Sequence, residues 1–212
     1  MEIVKPGFVF VGDIDGNSIL RKIEMAARTC YQSEGSSPDS HIKLVKTLIK
    51  NGHEAMLEHA SISVLVCCDR GVSHELVRHR IASYAQESTR YVRYKNGIRV
   101  IPPINIKPGT EEYEIWYCQC LSAEKAYLDL LDKGVKPEDA RSVLPHSVKT
   151  SIVITMNLRE WRHFFKLRAC GVTGKPHPQM LEITVPMLNK FKEIVPIIFD
   201  DLEPMELPNL PN

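Results

Sequence analysis

Arg78-His79-Arg80-Ile81-Ala82-Ser83-Tyr84-Ala85-Gln86-Glu87-Ser88-Thr89-Arg90-Tyr91 packs three arginines, a histidine, two serines and two tyrosines into fourteen positions, with Glu87 as its single acid. Guanidinium groups stay charged at any working pH and present rigid forks of donors that suit phosphate and carboxylate. The hydroxyls of Ser83, Ser88 and Thr89 add short donors able to close around a phosphate. Tyr84, Tyr91 and His79 offer flat faces for an aromatic ring. A solvated basic loop is the plain alternative for any arginine-rich run. The spacing argues against it, because Arg-His-Arg followed after seven residues by Ser-x-Arg arises by chance in roughly one chain in ten thousand on ordinary residue usage.

Outward from this stretch the pattern alternates between strands and helices. On the N-terminal side, residues 1–13 read as two short strands broken at Pro6-Gly7, and Ile19–Cys30 has helical spacing. A loop at Tyr31–Ser37 leads to a helix starting with Pro38 and stopping at Gly52. Ala60–Cys68 reads as an interior strand. Val72–Ile81 is expected to be helical, with Leu76, Val77 and Ile81 buried and Glu75/His79 one turn apart. Ala82–Tyr91 shows no clean period and reads as a loop over ligand. On the C-terminal side, Val92–Ile104 is expected to be extended and Thr110–Lys133 forms the longest helix. A short helix starts near Pro137, and Val148–Met156 is a strand that delivers the chain to Asn157.

The helix that follows, Leu158–Ala169, places Leu158, Trp161, Phe164 and Phe165 on one apolar arc, with Arg168 inside it. A cation there is costly unless paired or bonded. It either answers the helix C-terminus or faces a polar ligand at the edge of the core. Arg159 and His163 fall on the opposite face, out of reach of the spot Arg168 serves unless a neighbouring subunit or an extended ligand intervenes. A last helix from about Gln179 carries Pro186, expected to kink or interrupt it. The tail, 204–212, is expected to be loosely ordered.

With 212 residues, 43% apolar and 25% charged, the chain fits one soluble domain, 1–212. A formal charge of +1 gives no chain-wide field for nucleic acid or an anionic membrane. Positive charge is local instead (Arg78, Arg80, Arg90, Arg93, Lys95, Arg99), which suits a small anion. A single-strand-binding module built on the Arg/Tyr run is a rival that this charge balance disfavours. The six cysteines form no Cys-x-x-Cys and read as reduced in a cytoplasmic setting. No signal peptide and no membrane span is read. His53-Glu54 resembles the start of a zinc-protease motif, but Leu57 stands where the second histidine belongs, and no metal site is expected. Walker and Gly-x-Gly-x-x-Gly loops are absent.

Arg78-His79-Arg80, then Ser88 and Arg90, resembles the signature of the flavin-dependent thymidylate synthases. Further likenesses lie at Gly52-His53-Glu54 with Glu58-His59, at Thr155-Met156-Asn157 with Arg159, and at Leu167-Arg168. The resemblance implies an α+β fold with helices around a largely antiparallel central sheet. It implies reductive methylation of dUMP to dTMP, with methylenetetrahydrofolate as carbon donor and FADH2, regenerated by NADPH, as hydride donor. Carried over by position, His53, Glu58, Arg78, His79, Arg80, Gln86, Asn157, Arg159 and His163 would serve FAD. Glu75, Arg78, Gln86, Glu87, Ser88, Thr89, Arg90 and Arg168 would serve dUMP, with Arg168 also catalytic. A homotetramer with shared active sites is implied too, without nucleic acid or membrane partners. The Pro-Cys dipeptide of the cysteine-dependent thymidylate synthases is missing, so ring activation calls for a cofactor in place of a thiolate. Three departures stand out: Ala55 replaces a small hydroxyl residue, and His177-Pro178-Gln179-Met180 follows an extended loop after Arg168. Ser151 takes the place of an arginine beyond Leu144-Pro145, with Lys149 as a possible substitute.

Overall fold

Pro6 separates two short strands, β1 (Glu2–Ile3) and β2 (Gly7–Phe10), in the computed structural model, which describes residues 1–35 and 37–207. After α1 (Gly16–Thr29) and α2 (Ser40–Lys50), a 3-10 turn at Glu54–His59 leads into β3 (Ser61–Asp69). Then come α3 (Arg70–Leu76), β4 (Ser83–Gln86), β5 (Arg99–Val100), α4 (Glu111–Asp132) and α5 (Pro137–Ala140). A 3-10 turn, Arg141–Val143, precedes β6 (Lys149–Asn157), α6 (Leu158–Arg168) and α7 (Pro178–Ile194).

A four-stranded sheet has the order β2-β3-β6-β4, and β1 pairs with β5 in a separate parallel ribbon. Hydrogen bonds at the strand ends give the direction. Along β2 and β3, Val11 N–H reaches Ser63 O at 2.9 Å while the Cys67 thiol lies 3.9 Å from Lys5 O. Along β3 and β6, Leu158 N–H reaches Ala60 O at 3.0 Å and Arg70 N–H reaches Val148 O at 3.1 Å. In both pairs residue numbers rise on one strand as they fall on the other, so both are antiparallel. The expected mixed fold with an antiparallel sheet is present.

The chain divides into two compact units, neither contiguous in sequence: 1–8, 65–78 and 84–153 form one, and 9–64, 79–83 and 154–212 the other. In the first, Ile98, Val100, Cys120 and Val148 make a buried cluster lined by Tyr94, Trp116 and Leu144. Helix α4 is capped by Thr110, whose hydroxyl accepts Tyr113 N–H at 3.3 Å. It stops at Gly134 (φ +83), where a left-handed residue lets the N–H groups of Gly134 and Val135 turn back to Leu131 O and Leu130 O.

In the second unit, α1 lies on α2 through Leu20, Ile23, Val45 and Leu48, all buried. The rings of Trp161, Phe164, Phe165, Phe191 and Phe199 are all fully buried and stack or meet edge-on at 5.0–5.8 Å. These contacts fix the face that α6 turns inward.

Four expectations need correction. Helix α3 ends at Leu76, not Ile81, because the Tyr84 hydroxyl takes the Leu76 carbonyl (2.8 Å) that a continuing helix would use. Val77 and Ile81 are consequently exposed, and only Leu76 is buried. Ser83–Gln86 is strand β4, not loop. Pro186 sits inside an unbroken α7 on its exposed side. Of the tail, 208–212 lies outside the described residues, while Met205 is held by an N–H bond to Ala169 O at 2.9 Å.

Gly16 starts α1 against the end of α7, where an added Cβ would meet Ile194 O at 2.0 Å. Gly16→Ala is therefore expected to cost about 1–3 kcal/mol by overpacking, read as a lowered thermal midpoint. An unchanged midpoint would show that these helix ends do not approach.

Candidate active site

Two groups of side chains stand out, one in each unit. In the second unit Asn157 opens α6, its Oδ1 accepting Glu160 N–H at 2.8 Å. Glu160, Phe164 and Arg168 then follow at intervals of four, so they line one row of the helix. His79, 5% exposed, lies along that row. Its ring meets Phe164 edge-on at 4.9 Å and His163 at 5.8 Å. Its Nε2 accepts the Nε–H of Arg168 at 3.2 Å, and its Nδ1 is 3.5 Å from Glu160 Oε1.

Charge follows from this arrangement. Burial, reinforced by the Arg168 guanidinium and by His163, pulls the His79 imidazole down to about 4, so it is neutral at neutral pH. Burial pushes the Glu160 carboxyl up, with His163 partly offsetting it. The Glu160–His79 approach is thus a carboxylate facing a neutral ring, not an ion pair. His79, Glu160 and His163 bring ligand-type atoms within 4.8 Å of one another. Accepting from Arg168 requires a lone pair on Nε2, which puts the ring hydrogen on Nδ1. His79 so arranged has no lone pair left for a metal, and a guanidinium stands beside it.

The structure corrects the expectation that His163 and Arg168 serve separate spots, since both meet His79. A helical wheel places them apart, but a ring laid along the helix spans the gap. Arg159 does point elsewhere, to Glu58 at 2.5 Å, with both groups about half exposed. His53 is exposed at the start of the Glu54–His59 turn, and Arg80 is exposed with no ion pair among the described residues.

Beneath this surface Arg162, 2% exposed, bonds to Glu54 at 2.9 Å, to both Asp201 oxygens at 2.6 and 2.7 Å, and to the Ile198 carbonyl. Burial alone would pull its pKa down. The bonds from Asp201 and Glu54 more than reverse that, and Arg162 in turn holds the Asp201 carboxyl below its usual range. The anchor fixes α6 to the turn bearing His53 and Glu58.

In the first unit the second half of the signature leaves β4 and turns. Gln86 donates to Ser73 Oγ (3.0 Å) and Thr150 Oγ1 (3.2 Å). Glu87 is held by Lys149 (3.0 Å) and Tyr94 (2.9 Å). Burial pushes the Glu87 carboxyl up, but those two bonds outweigh it and keep it below its usual range. Lys149, 8% exposed and bound to Glu87, is therefore committed and does not replace the missing arginine.

A residue the sequence reading missed, Arg141, donates from Nη1 to Thr89 Oγ1 at 3.1 Å. No local spacing links positions 52 apart, and only the fold brings them together. Ser88 Oγ accepts Arg90 N–H at 3.3 Å, and Ser88 O accepts the N–H groups of Tyr91 and Val92, closing the turn. The Arg90 guanidinium is 53% exposed, 3.7 Å from Glu138. Glu75 is half-buried on α3, and Arg78 is exposed with no ion pair among the described residues. An exposed arginine with no ion pair among the described residues, as Arg78 is, fits an anionic ligand such as a phosphate.

A family model described as thymidylate synthase complementing protein matches residues 16–197. The chain is 38% identical over 192 residues to the flavin-dependent thymidylate synthase of Geobacter sulfurreducens, covering 86% of this chain and 81% of the relative. It is 42% identical over 195 residues to the flavin-dependent thymidylate synthase of Pyrococcus abyssi, covering 84% and 78%. Among solved structures, the UMP/dUMP methylase PolB from Streptomyces cacaoi, bound with 5-Br dUMP, superposes with a TM-score of 0.77 at 22% identity, over 94% of this chain and 96% of that one.

The neutral, buried His79 gives a pH signature. Its folded value near 4 lies below the ordinary 6.5, so the unfolded chain binds the proton first as pH falls. Stability is full above about 6.5 and declines toward about 4. Glu160, raised by burial, acts in the opposite sense. Thermal midpoints at neutral and mildly acidic pH should therefore fall further in the wild type than in His79→Gln. Equal falls would show that His79 is not held neutral.

Proposed function

The chain belongs to the thymidylate synthase complementing protein family, the flavin-dependent thymidylate synthases, and from that we propose that it converts dUMP to dTMP by reductive methylation. Methylenetetrahydrofolate gives the carbon and leaves as tetrahydrofolate. FAD, reduced by NADPH, supplies the hydride. The observation that carries the reading is the bond between His79 of the signature and Arg168 of the distant Leu-Arg motif.

Residues fit the flavin by the chemistry of their donors. Arg78 and Arg80 are exposed cations suited to its diphosphate, with Arg159, Asn157 and His163 as further contacts and His79 as their buried support. His53 and Glu58 line the approach for flavin and folate. For the nucleotide, Ser88 and Arg90 clasp the phosphate and Arg141 adds charge through Thr89. Glu75 and Arg78 complete the nucleotide contacts. The side chains of Gln86 and Glu87 are engaged internally, so they serve dUMP through the backbone and by bracing the turn.

Arg168 meets the uracil carbonyl edge and stabilises negative charge as the ring is activated, an electrostatic role that needs no nucleophile. The thiols support this indirectly. Burial raises Cys67, Cys68 and Cys170 above the ordinary thiol value, which makes them poor thiolates.

The functional form proposed is a homotetramer with shared active sites, each chain acting as one domain in the cytoplasm. No helix among the described residues is long and apolar enough to cross a membrane.

Anaerobic incubation with dUMP, methylenetetrahydrofolate, FAD and NADPH should yield dTMP, and purified protein should be yellow. Protein that neither binds FAD nor forms dTMP would overturn the proposal. Arg168→Ala should lower turnover roughly 100-fold with little change in thermal midpoint. Arg90→Ala and Arg141→Ala should mainly raise the dUMP KM, by about tenfold each, as lost charge-assisted bonds do. Equal, mild effects from all three would mean that the roles are misassigned.

A further inference from the structure

We infer that Glu160 is a positioning residue that acts on Arg168 through His79. It holds the imidazole as the Nδ1–H tautomer, so that Nε2 accepts the Arg168 Nε–H and fixes the plane of the guanidinium. The inference rests on the role proposed for Arg168, and it deepens that role.

Glu160 is 6% exposed, one position before the fully buried Trp161. A carboxylate removed from water costs several kcal/mol, on the order of the whole stability of a domain, unless a partner recovers it. Favour from the helix N-terminus is available to an exposed first-turn acid just as well, so it does not explain burial. The Asn157 cap fixes the backbone of Glu160 at 2.8 Å, and the partner its side chain meets is His79 Nδ1 at 3.5 Å.

On the other side of the ring, the 3.2 Å bond from Arg168 Nε demands an unprotonated Nε2. A neutral imidazole in water carries its hydrogen on either nitrogen, and only one choice accepts from Arg168. A buried carboxylate oxygen 3.5 Å from Nδ1 favours a hydrogen over a lone pair on that nitrogen, by charge, much as an outer partner does for a histidine that orients a catalytic group. The spacing supports the arrangement, because Glu160 and Arg168 lie two turns apart on one row of α6 and His79 bridges the distance between them. Phe164, midway, closes the side of the ring at 4.9 Å and keeps it from rotating out.

The test combines spectroscopy with kinetics. With 15N-labelled histidine, the His79 signals, identified by their loss in His79→Gln, should report the Nδ1–H tautomer in the wild type and in Glu160→Gln. The amide oxygen of Gln still presents the negative end of a dipole to Nδ1. Glu160→Ala should show a mixture of tautomers. Turnover should drop about tenfold or more in Glu160→Ala, as small misplacements of a catalytic group do. The dUMP KM should stay within about threefold, and Glu160→Gln should recover most of the loss. Glu160→Ala combined with Arg168→Ala should be no slower than Arg168→Ala alone, since the first change acts only through the second residue.

An Nε2–H tautomer in the wild type would overturn the inference, and that measurement needs no folded variant at position 160. Multiplying losses in the double variant, or Glu160→Gln as impaired as Glu160→Ala, would also overturn it. Wild-type turnover in Arg168→Ala would instead remove the role of Arg168, a failure distinguishable because the tautomer signal does not depend on turnover.

Discussion

A neutral imidazole accepting a hydrogen bond from a guanidinium is the contact on which the rest of the second unit depends. It joins His79, from the arginine-rich stretch, to Arg168, at the end of α6, across 89 residues of sequence. Such a bond lets a guanidinium sit beside the apolar row of α6 with its Nε–H satisfied by a neutral acceptor. The ring is kept neutral by burial and by the cation it serves, so the two features sustain each other.

The position of Arg168 is only as good as that of the helix beneath it. Helix α6 is held on one side by its own Trp161 and Phe165 packing on Phe191 and Phe199, and on another by Arg162, which gathers Glu54, Asp201 and the Ile198 carbonyl. A buried ion pair of this kind adds little net stability over an apolar equivalent, but it tolerates few alternative geometries. Here it ties the carrier of Arg168 and Arg159 to the turn that bears Glu58 and His53. The first unit uses the same device on a smaller scale, with Lys149 and Tyr94 gripping Glu87 so that the next residues turn outward.

Much of this was legible from residues alone. Strands β3 and β6 announced themselves by unbroken or alternating apolar runs, and α4 and α6 by their helical period. The signature itself pointed to an anion site and named His79, Ser88 and Arg90, while Arg168 stood out by its place on the apolar arc of α6 and by the separate Leu167-Arg168 likeness. What escaped was whatever depends on one side chain reaching across the fold. The Tyr84 hydroxyl ends α3 early, Thr89 finds Arg141, and Lys149 is spent on Glu87. His163 and Arg168 looked divergent because a helical wheel shows angles but not the width of a ring lying along the helix. Glu160 drew no notice because an acid in the first turn is ordinary, and only its burial is not.

The clamp on Arg162 has a consequence for how far the polypeptide must extend. Asp201 lies 33 positions beyond Arg168, and no residue past Arg168 belongs to either proposed ligand set, yet a product ending before it would leave the buried Arg162 without its bidentate carboxylate, with Glu54 to hold it from one side. Such a shortened protein keeps every residue proposed to touch a ligand and loses a clamp that holds α6 in register. The segment around Asp201 in this sense serves the catalytic apparatus from a distance, by holding the helix that carries Arg168.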